Sequence, residues 1–245
     1  VLPTVHYNMG GIPTNYHGEV LKPTTDNPDA VFPGLMAVGE CASVSVHGAN
    51  RLGTNSLLDI VVFGRAAAIR CASVIKAGAK LMPLPKDSAD YALNRLDSTR
   101  YAMGGSPTSV IRSHMQTIMQ NDAAVFRTSE TLKQGCEKLS EVAASISDLQ
   151  VSDSSLIFNT DLVEALELHN LMACALATVV GAEKRQESRG AHAHEDYPDR
   201  DDQVWMKHTL AHVTDDYNVK VSYRPVHEYT LSDEIDYIEP KARVY

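Results

Sequence analysis

One arginine lies in a loop of small residues, directly ahead of a helix-start signal. Arg51 belongs to the stretch HGANRLG at 47–53. Small neighbours let a ligand approach the backbone closely, and a guanidinium can bind a carboxylate through two parallel hydrogen bonds. Arg51 is therefore a candidate anion-binding residue. A surface arginine paired with a nearby aspartate is the alternative.

The helix that follows this loop adds to the candidate site. Asn55 or Ser56 is the predicted N-cap, and Ser56 with Asp59 has the spacing of a capping box. The N–H groups of the first turn have no partners inside the helix, and the helix dipole is positive there. A ligand that gains negative charge during a reaction would be stabilised at this position. An ordinary capped helix is the alternative.

Two further side chains could take part in chemistry. His6 lies in VHYNMGGIP ahead of two glycines, and Glu40 ends LMAVGE, a predicted buried strand at 35–40. A lone histidine is more often a structural hydrogen-bonding residue than a ligand. A carboxylate at the end of a buried strand is costly unless it is hydrogen-bonded, to the backbone or to a polyhydroxyl cofactor.

Metal binding is not predicted. HAHED at 192–196 and the pair His208 and His212 are the metal-like patterns. Tetrahedral zinc needs about four ligands, and strand residues four apart lie ~13 Å from each other. Arg189, which ends a predicted helix beside Gly190, is explained by its favourable interaction with the helix dipole.

Composition excludes several classes of function. The formal net charge is −9, which argues against a nucleic-acid partner. Residues 60–75 come nearest to a membrane span, but two arginines interrupt them, and a buried core helix is predicted instead. The four widely spaced cysteines indicate reduced packing residues. No GxGxxG, P-loop, GxSxG or HExxH motif is present.

Hydrophobic periodicity predicts the elements that position these residues. A helix should run from 55 to about 76, followed by irregular structure over 78–108. Further helices are expected at 109–122, from Thr128 or Ser129, and from Asn159 toward a stop at Gly190, the last buried nearly all round. Alternation at 208–213 and 219–226 predicts an antiparallel hairpin.

Taken together, these segments resemble one known family. Six segments are similar to the C-terminal part of succinate dehydrogenase flavoproteins: HYNMGGIPTN, GLMAVGE, SVHGANRLGTNSLLDIVVFGRAAA, NTDLVEALEL, ESRGAH and YRP. The resemblance spans nearly all 245 residues and is strongest at 3–70 and 159–204. Fumarate reductases and L-aspartate oxidases share HGANR, whereas NSLLDIVVFGR resembles the succinate dehydrogenase form.

The resemblance implies roles for matching residues. His6 and Arg51 would bind the two carboxylates of a small dicarboxylate substrate. The FAD-binding residues would be Glu40, Asn55, Ser56 and Leu57. The implied reaction is oxidation of succinate to fumarate, with hydride transfer to the flavin and electrons passed on to iron–sulfur clusters and quinone. The arginine that shuttles the proton precedes His6 in the family, so no catalytic residue is expected in this chain.

The fold class that the resemblance implies is α/β plus α. Residues 1–76 would form the C-terminal segment of an FAD-binding α/β domain. Residues 77–108 would be a linker, and 109–190 a helical bundle domain. Residues 191–245 would form a small mixed domain with an antiparallel hairpin.

The family's dinucleotide-binding glycine loop and its FAD-linked histidine also precede His6. We therefore expect half of a split flavoprotein, active only with an N-terminal half. The other expected partners are an iron–sulfur subunit and, indirectly, membrane-anchor subunits, with no nucleic acid. The expected location is the matrix side of the mitochondrial inner membrane, or the cytoplasmic face of a bacterial inner membrane. The alternatives are a non-catalytic scaffold module and a part of a fumarate reductase or L-aspartate oxidase.

Overall fold

The computed structural model describes residues 7–241, and its first part consists of short strands followed by one long helix. The strands are β1 (Ile12–Pro13), β2 (Glu19–Leu21), β3 (Val31–Met36) and β4 (Ala42–Ser43). β1 pairs with β4 in parallel, and β2 pairs with β3 in antiparallel orientation. The prediction of a buried strand at 35–40 is wrong. The strand begins at Val31 and its first five residues are exposed. Within residues 7–241 β3 pairs with β2 alone.

The long helix is α1 (Asn55–Val74), and most of its surface is exposed. It packs on a 3₁₀ turn at Gly39–Cys41, and Arg70 Nε donates to Glu19 Oε1 of β2 over 2.7 Å. The predicted buried core helix is wrong for the part of the chain that the structure describes. Asp59 is the buried residue of α1, whereas Leu57 and Val61 are each 66% exposed.

Three helices of the second part form the main hydrophobic core. The remaining helices are α2 (Asp90–Arg100), α3 (Thr108–Asp122), α4 (Ser129–Ala144), α5 (Thr160–Glu183) and α6 (Asp202–Trp205). α3, α4 and α5 pack together around fully buried residues such as Leu132, Leu139 and Leu168. Burying such side chains stabilises the fold by about 1.5–3 kcal/mol each.

The caps of the core helices follow local sequence. Thr128 caps α4 and exchanges hydrogen bonds with Thr131, while the Asn159 side chain accepts from the Leu162 N–H over 2.9 Å. The predicted helices at 109–122, from Thr128 or Ser129 and from Asn159 are confirmed. The predicted stop at Gly190 is wrong, because α5 ends at Glu183.

α5 is also less uniformly buried than predicted. Val163 and Leu171 are 54% and 41% exposed. By length and composition α5 is the one helix among residues 7–241 that could cross a membrane. Its packing against α3, α4 and a β-hairpin identifies it as the core helix of the bundle.

Residues 78–108 are not irregular throughout. α2 occupies eleven of them, so that prediction is wrong over Asp90–Arg100. Asp90 in its first turn and Arg100 in its last turn both interact favourably with the helix dipole. α2 packs on α5, where Arg95 Nη2 donates to Asn170 Oδ1 over 2.8 Å. The predicted domain boundaries at 76, 108 and 190 stay predictions.

The C-terminal part contains the predicted hairpin and two small parallel ladders. The additional strands are β5 (Ser106–Pro107), β6 (Phe126–Arg127), β7 (Leu149–Gln150), β8 (Ala193–His194), β9 (Lys207–Val213) and β10 (Val219–Pro225). β5 pairs with β7 and β6 with β8, whereas β9 and β10 form the antiparallel hairpin, which is confirmed. Buried Arg224 of β10 binds Asp29 through Nη2 and Oδ1 over 2.5 Å. The hairpin is thereby tied to the N-terminal part.

Candidate functional site

The loop that carries the candidate anion-binding residue, residues 47–54, is here called the arginine loop. Arg51 Nη1 donates to the Gly53 carbonyl oxygen over 2.5 Å, and its guanidinium carbon lies 4.5 Å from the centre of the Tyr7 ring. Within residues 7–241 Arg51 forms no ion pair, so the alternative of an aspartate partner does not describe the structure. The guanidinium is half-buried and keeps donors for an external anion.

A buried carboxylate lies behind this loop. The side chain of Asp59 is 3% exposed, and its Oδ2 lies 2.9 Å from Nε2 of His47. The predicted capping box is therefore wrong. The residue before α1 is Thr54, which makes no side-chain cap bond, and Asp59 faces His47 across the arginine loop. A lone carboxylate inside the apolar run LLDIVV needs a partner, and this was the signal in the sequence that could have found the pair.

Buried polar atoms without hydrogen-bond partners concentrate at this place. Among residues 7–241 they include His47 Nδ1, Arg51 Nε, Ser56 Oγ and Asp59 Oδ1. Each such atom costs about 1–3 kcal/mol when it stays unpaired, and such atoms are uncommon in native proteins. Their concentration within residues 47–59 indicates a polar partner outside residues 7–241. A polar cofactor such as FAD, or a further protein segment, fits this set of donors and acceptors.

The predicted FAD-binding residues lie close to one another at the start of α1. Asn55, Ser56 and Leu57 form its first turn, where N–H groups favour negative charge. The N–H of Leu57 already donates to the Thr54 carbonyl oxygen over 3.1 Å, so a cofactor would have to share it.

Glu40 does not end a buried strand. It is exposed in the 3₁₀ turn, and its Oε1 accepts from the Asn8 N–H over 3.4 Å. Burial raises the pKa of Tyr7 above its ordinary value of 10.0, and the charges of Asp59 and Glu40 raise it further. The Asn8 N–H donates to Glu40, and the Arg51 guanidinium lies over the ring of the neighbouring Tyr7, so Glu40 lies on the same side of the chain as the arginine loop. His6 lies outside the described residues.

A tight turn at 189–192, here called the RGAH turn, docks on the arginine loop. The N–H of Ala191 donates to the Ala49 carbonyl oxygen over 2.8 Å. Gly190 has a φ of +57°, and a Cβ atom there would lie 2.4 Å from the same oxygen. Glycine is required at 190 both for the backbone conformation and for this close approach.

A buried ion-pair network positions the RGAH turn. Glu187 is 0% exposed and accepts from Arg185 Nη1 over 2.5 Å, Arg189 Nε over 2.8 Å and the Asp201 N–H over 3.0 Å. Arg189 also binds Asp202 over 2.6 Å. The dipole explanation for Arg189 is thus wrong, because no helix ends beside it and its charge is neutralised by carboxylates. The alternation Arg185, Glu187, Arg189 was the sequence signal for this network.

Two histidines of the metal-like patterns, His192 and His208, have side-chain hydrogen-bond partners. His192 Nδ1 lies 2.9 Å from Arg127 Nη1, and His208 Nε2 lies 2.9 Å from Ser45 Oγ just ahead of the arginine loop. Over residues 7–241 no group of three or more His, Cys, Asp or Glu side chains is placed to hold a metal ion. His192 and His208 instead fix the surroundings of the arginine loop.

Both histidines make stability depend on pH. Burial lowers the pKa of His192 and of His208 from 6.5 to about 4. Between these values the unfolded chain binds protons that the folded chain does not, so stability rises with pH in this window and falls as the pH drops through it. We expect the thermal midpoint of the complete flavoprotein to decrease as the pH is lowered from 6.5 to 4.5. His208→Gln should make this decrease smaller. Exposed His114→Gln is the control, and an equal slope in the His208 variant would contradict the assignment.

Comparison with known proteins covers both parts of the chain. Residues 112–245 match the family model described as "Fumarate reductase flavoprotein C-term", and residues 1–57 match the model described as "FAD binding domain". The second match ends at Leu57 and so includes the whole arginine loop.

Individual relatives agree with these models. The chain is 58% identical to the mitochondrial succinate dehydrogenase [ubiquinone] flavoprotein subunit of Oryza sativa subsp. japonica and 53% identical to the succinate dehydrogenase flavoprotein subunit of Rickettsia bellii, with all of this chain covered in both. It covers 39% and 41% of those proteins, so the chain spans about two fifths of their length.

The fold is shared with a solved structure. E. coli quinol fumarate reductase matches with a TM-score of 0.82 and 36% identity, over 99% of this chain and 39% of that one. The two matched models and this shared fold lead to one conclusion. The chain belongs to the flavoprotein family of succinate dehydrogenases and fumarate reductases, of which it represents the C-terminal part.

Proposed function

We propose that this chain supplies one wall of the substrate and FAD site of a succinate dehydrogenase flavoprotein. The observation that carries the proposal is Arg51, a half-buried guanidinium without an ion-pair partner in residues 7–241, held beside the start of α1. The greater identity to succinate dehydrogenases, 58% and 53%, than to the fumarate reductase structure, 36%, favours succinate as the reductant.

Arg51 binds one carboxylate of succinate through paired hydrogen bonds and so fixes the orientation of the two carbons that are oxidised. His6 is proposed for the other carboxylate. When bound, FAD supplies the hydride acceptor. Glu40 and residues 55–57 contact this cofactor, and the positive end of α1 stabilises negative charge beside them. The group that accepts the proton lies outside this chain.

The remaining parts of the enzyme come from other segments. The exposed apolar face of α1 and of β3 belongs against the rest of the FAD-binding domain. We propose that this remainder is a separate N-terminal chain. An iron–sulfur subunit and membrane anchors receive the electrons. The flavoprotein is peripheral to the mitochondrial inner membrane, on its matrix side. Native electrophoresis followed by denaturing electrophoresis separates two polypeptides if the flavoprotein is split, and one polypeptide of the relatives' length if it is not.

The test of the activity is flavin reduction in the complete flavoprotein, assembled from one chain or two. Succinate is expected to bleach the absorbance of oxidised flavin, and fumarate to accumulate in equal amount. L-Aspartate in place of succinate is expected to leave the flavin oxidised. Bleaching by L-aspartate alone would reassign the chain to an L-aspartate oxidase. A flavin that neither acid reduces would support the non-catalytic scaffold.

The RGAH turn allows a specific test of how the arginine loop is held. Gly190→Ala places a Cβ 2.4 Å from the Ala49 oxygen and forces alanine into a φ of +57°. The positive φ alone destabilises the turn by about 1–2 kcal/mol. Because the turn can relieve this strain and the clash only by moving relative to the arginine loop, Arg51 is misplaced and we expect KM for succinate to rise by about tenfold or more. Gly181→Ala on α5 is the matched control, because the nearest atom to its new Cβ is 3.9 Å away. Equal KM values in the two variants would contradict the contact.

A further inference from the structure

A series of contacts leads from a buried carboxylate to the candidate substrate-binding arginine. Asp59 Oδ2 lies 2.9 Å from His47 Nε2. The His47 ring meets the Tyr7 ring edge to face, with centroids 5.6 Å apart and planes at 76°. The Arg51 guanidinium carbon lies 4.5 Å from the centre of the Tyr7 ring. The series therefore connects α1 to Arg51 of the arginine loop through side-chain contacts alone.

The first two members of this series are fixed by burial. The side chains of Asp59 and His47 are 3% and 9% exposed, and within residues 7–241 neither Asp59 Oδ1 nor His47 Nδ1 has a partner. A buried carboxylate that loses its partner is strongly destabilised, so the imidazole is held in one orientation. An edge-to-face contact is directional, and His47 therefore determines where the Tyr7 ring stands.

Arg51 depends on that ring for its own position. The arginine loop up to Thr54 belongs to no helix or strand. Within residues 7–241 the side chain of Arg51 makes one hydrogen bond, to the Gly53 carbonyl oxygen. A free arginine side chain has about 2 kcal/mol of rotamer entropy, which is lost when it binds a ligand. A guanidinium stacked on an aromatic face has already lost part of this freedom, and the stacking leaves its N–H groups available at the edge.

We propose that Asp59, His47 and Tyr7 are positioning residues that hold the guanidinium of Arg51 ready for a substrate carboxylate. This inference rests on the proposed function, in which Arg51 binds a dicarboxylate. Its specific content is that the affinity of the site for dicarboxylates depends on a carboxylate in α1 that never touches the substrate. A purely structural role for Asp59 would change stability and FAD content but leave the affinity of folded, FAD-loaded enzyme unchanged.

The test uses the complete flavoprotein with its FAD content measured for every variant. The dissociation constant of malonate, a dicarboxylate that is not oxidised, is read from the shift it causes in the flavin spectrum. KM and kcat for succinate are measured in parallel. In the FAD-loaded fraction of each variant, we expect Asp59→Asn and Tyr7→Leu to raise both the dissociation constant of malonate and the KM for succinate by about tenfold. The change in kcat per bound FAD should be smaller. Tyr7→Phe, which keeps the ring, should recover most of the affinity that Tyr7→Leu loses.

The matched control is His169→Gln. His169 lies on α5, and its Nδ1 is 2.6 Å from the hydroxyl oxygen of Tyr217 in the turn between β9 and β10. The variant therefore breaks a comparable half-buried hydrogen bond away from the arginine loop. It should change stability without changing malonate affinity. Unchanged malonate constants in both Asp59→Asn and Tyr7→Leu would overturn the positioning role while leaving the proposed function intact. Failure of malonate and succinate to affect the unsubstituted protein would instead overturn the proposed function itself.

Discussion

Arg51→Ala is expected to lower kcat/KM for succinate by roughly a hundredfold to a thousandfold. Truncating one partner of a desolvated, hydrogen-bonded charge pair costs about 2–5 kcal/mol, and each 1.36 kcal/mol corresponds to a factor of ten. Arg51 is half-buried and stacked on Tyr7, and among residues 7–241 it has no internal carboxylate that would already neutralise its charge. A substrate carboxylate is therefore its proposed partner in the active enzyme.

The loss should appear in steady-state oxidation of succinate by the complete flavoprotein with an artificial electron acceptor. Arg51→Lys is expected to recover only a small part of it, because an ammonium cannot bind a carboxylate through two parallel hydrogen bonds. Arg112→Ala on α3 is the control, since it removes an arginine whose contacts are Glu164 and Glu167 on α5. FAD content and assembly should survive in all three variants. Full turnover by Arg51→Ala with normal assembly would contradict the proposal that Arg51 binds the substrate.

Glu187→Ala should have the largest effect on stability. The carboxylate is 0% exposed and is shared by Arg185 and Arg189. Its removal leaves two guanidinium groups without their central anion in a buried place, a change that costs about 3–5 kcal/mol. We expect a fall of several degrees in the thermal midpoint of the complete flavoprotein and more rapid proteolysis within residues 185–205.

Two variants control for the loss of a side chain as such. Glu187→Gln keeps the shape but removes the charge, and should destabilise less than alanine. Glu167→Ala removes a side chain that is 60% exposed and lies 3.7 Å from Arg112, so it should change stability by no more than about 0.5 kcal/mol. If Glu187→Ala and Glu167→Ala have the same thermal midpoint, the buried network does not stabilise the RGAH turn.

Local rules were sufficient wherever a helix or hairpin depends on its own residues. The cap of α5 at Asn159, the capping box of α4 and the alternation in β9 and β10 all follow from neighbours in sequence. They failed for α1 and β3. Both were expected to be buried, because their residues are apolar, yet the surface that would cover them is not part of residues 7–241. Apolar composition indicates that the surface of a helix or strand needs to be covered, but it does not indicate which segment covers it.

The same limit applies to the site. Arg51 could be found from its small-residue loop, since that signal lies within seven residues. Asp59 was misassigned because Ser56 offered a local partner, whereas the structure pairs Asp59 with His47. The role of Glu187 could not be read from spacing alone. Its meaning depends on the docking of the RGAH turn against Ala49, a contact between distant parts of the chain.

That docking contact has a consequence for biosynthesis. Ala49 leaves the ribosome long before Ala191, its hydrogen-bond partner. At about 5–20 residues per second, the delay for some 140 intervening residues is on the order of ten seconds. During this interval the nascent arginine loop lacks its support, so the proposed flavin site would be completed only after this region has been translated.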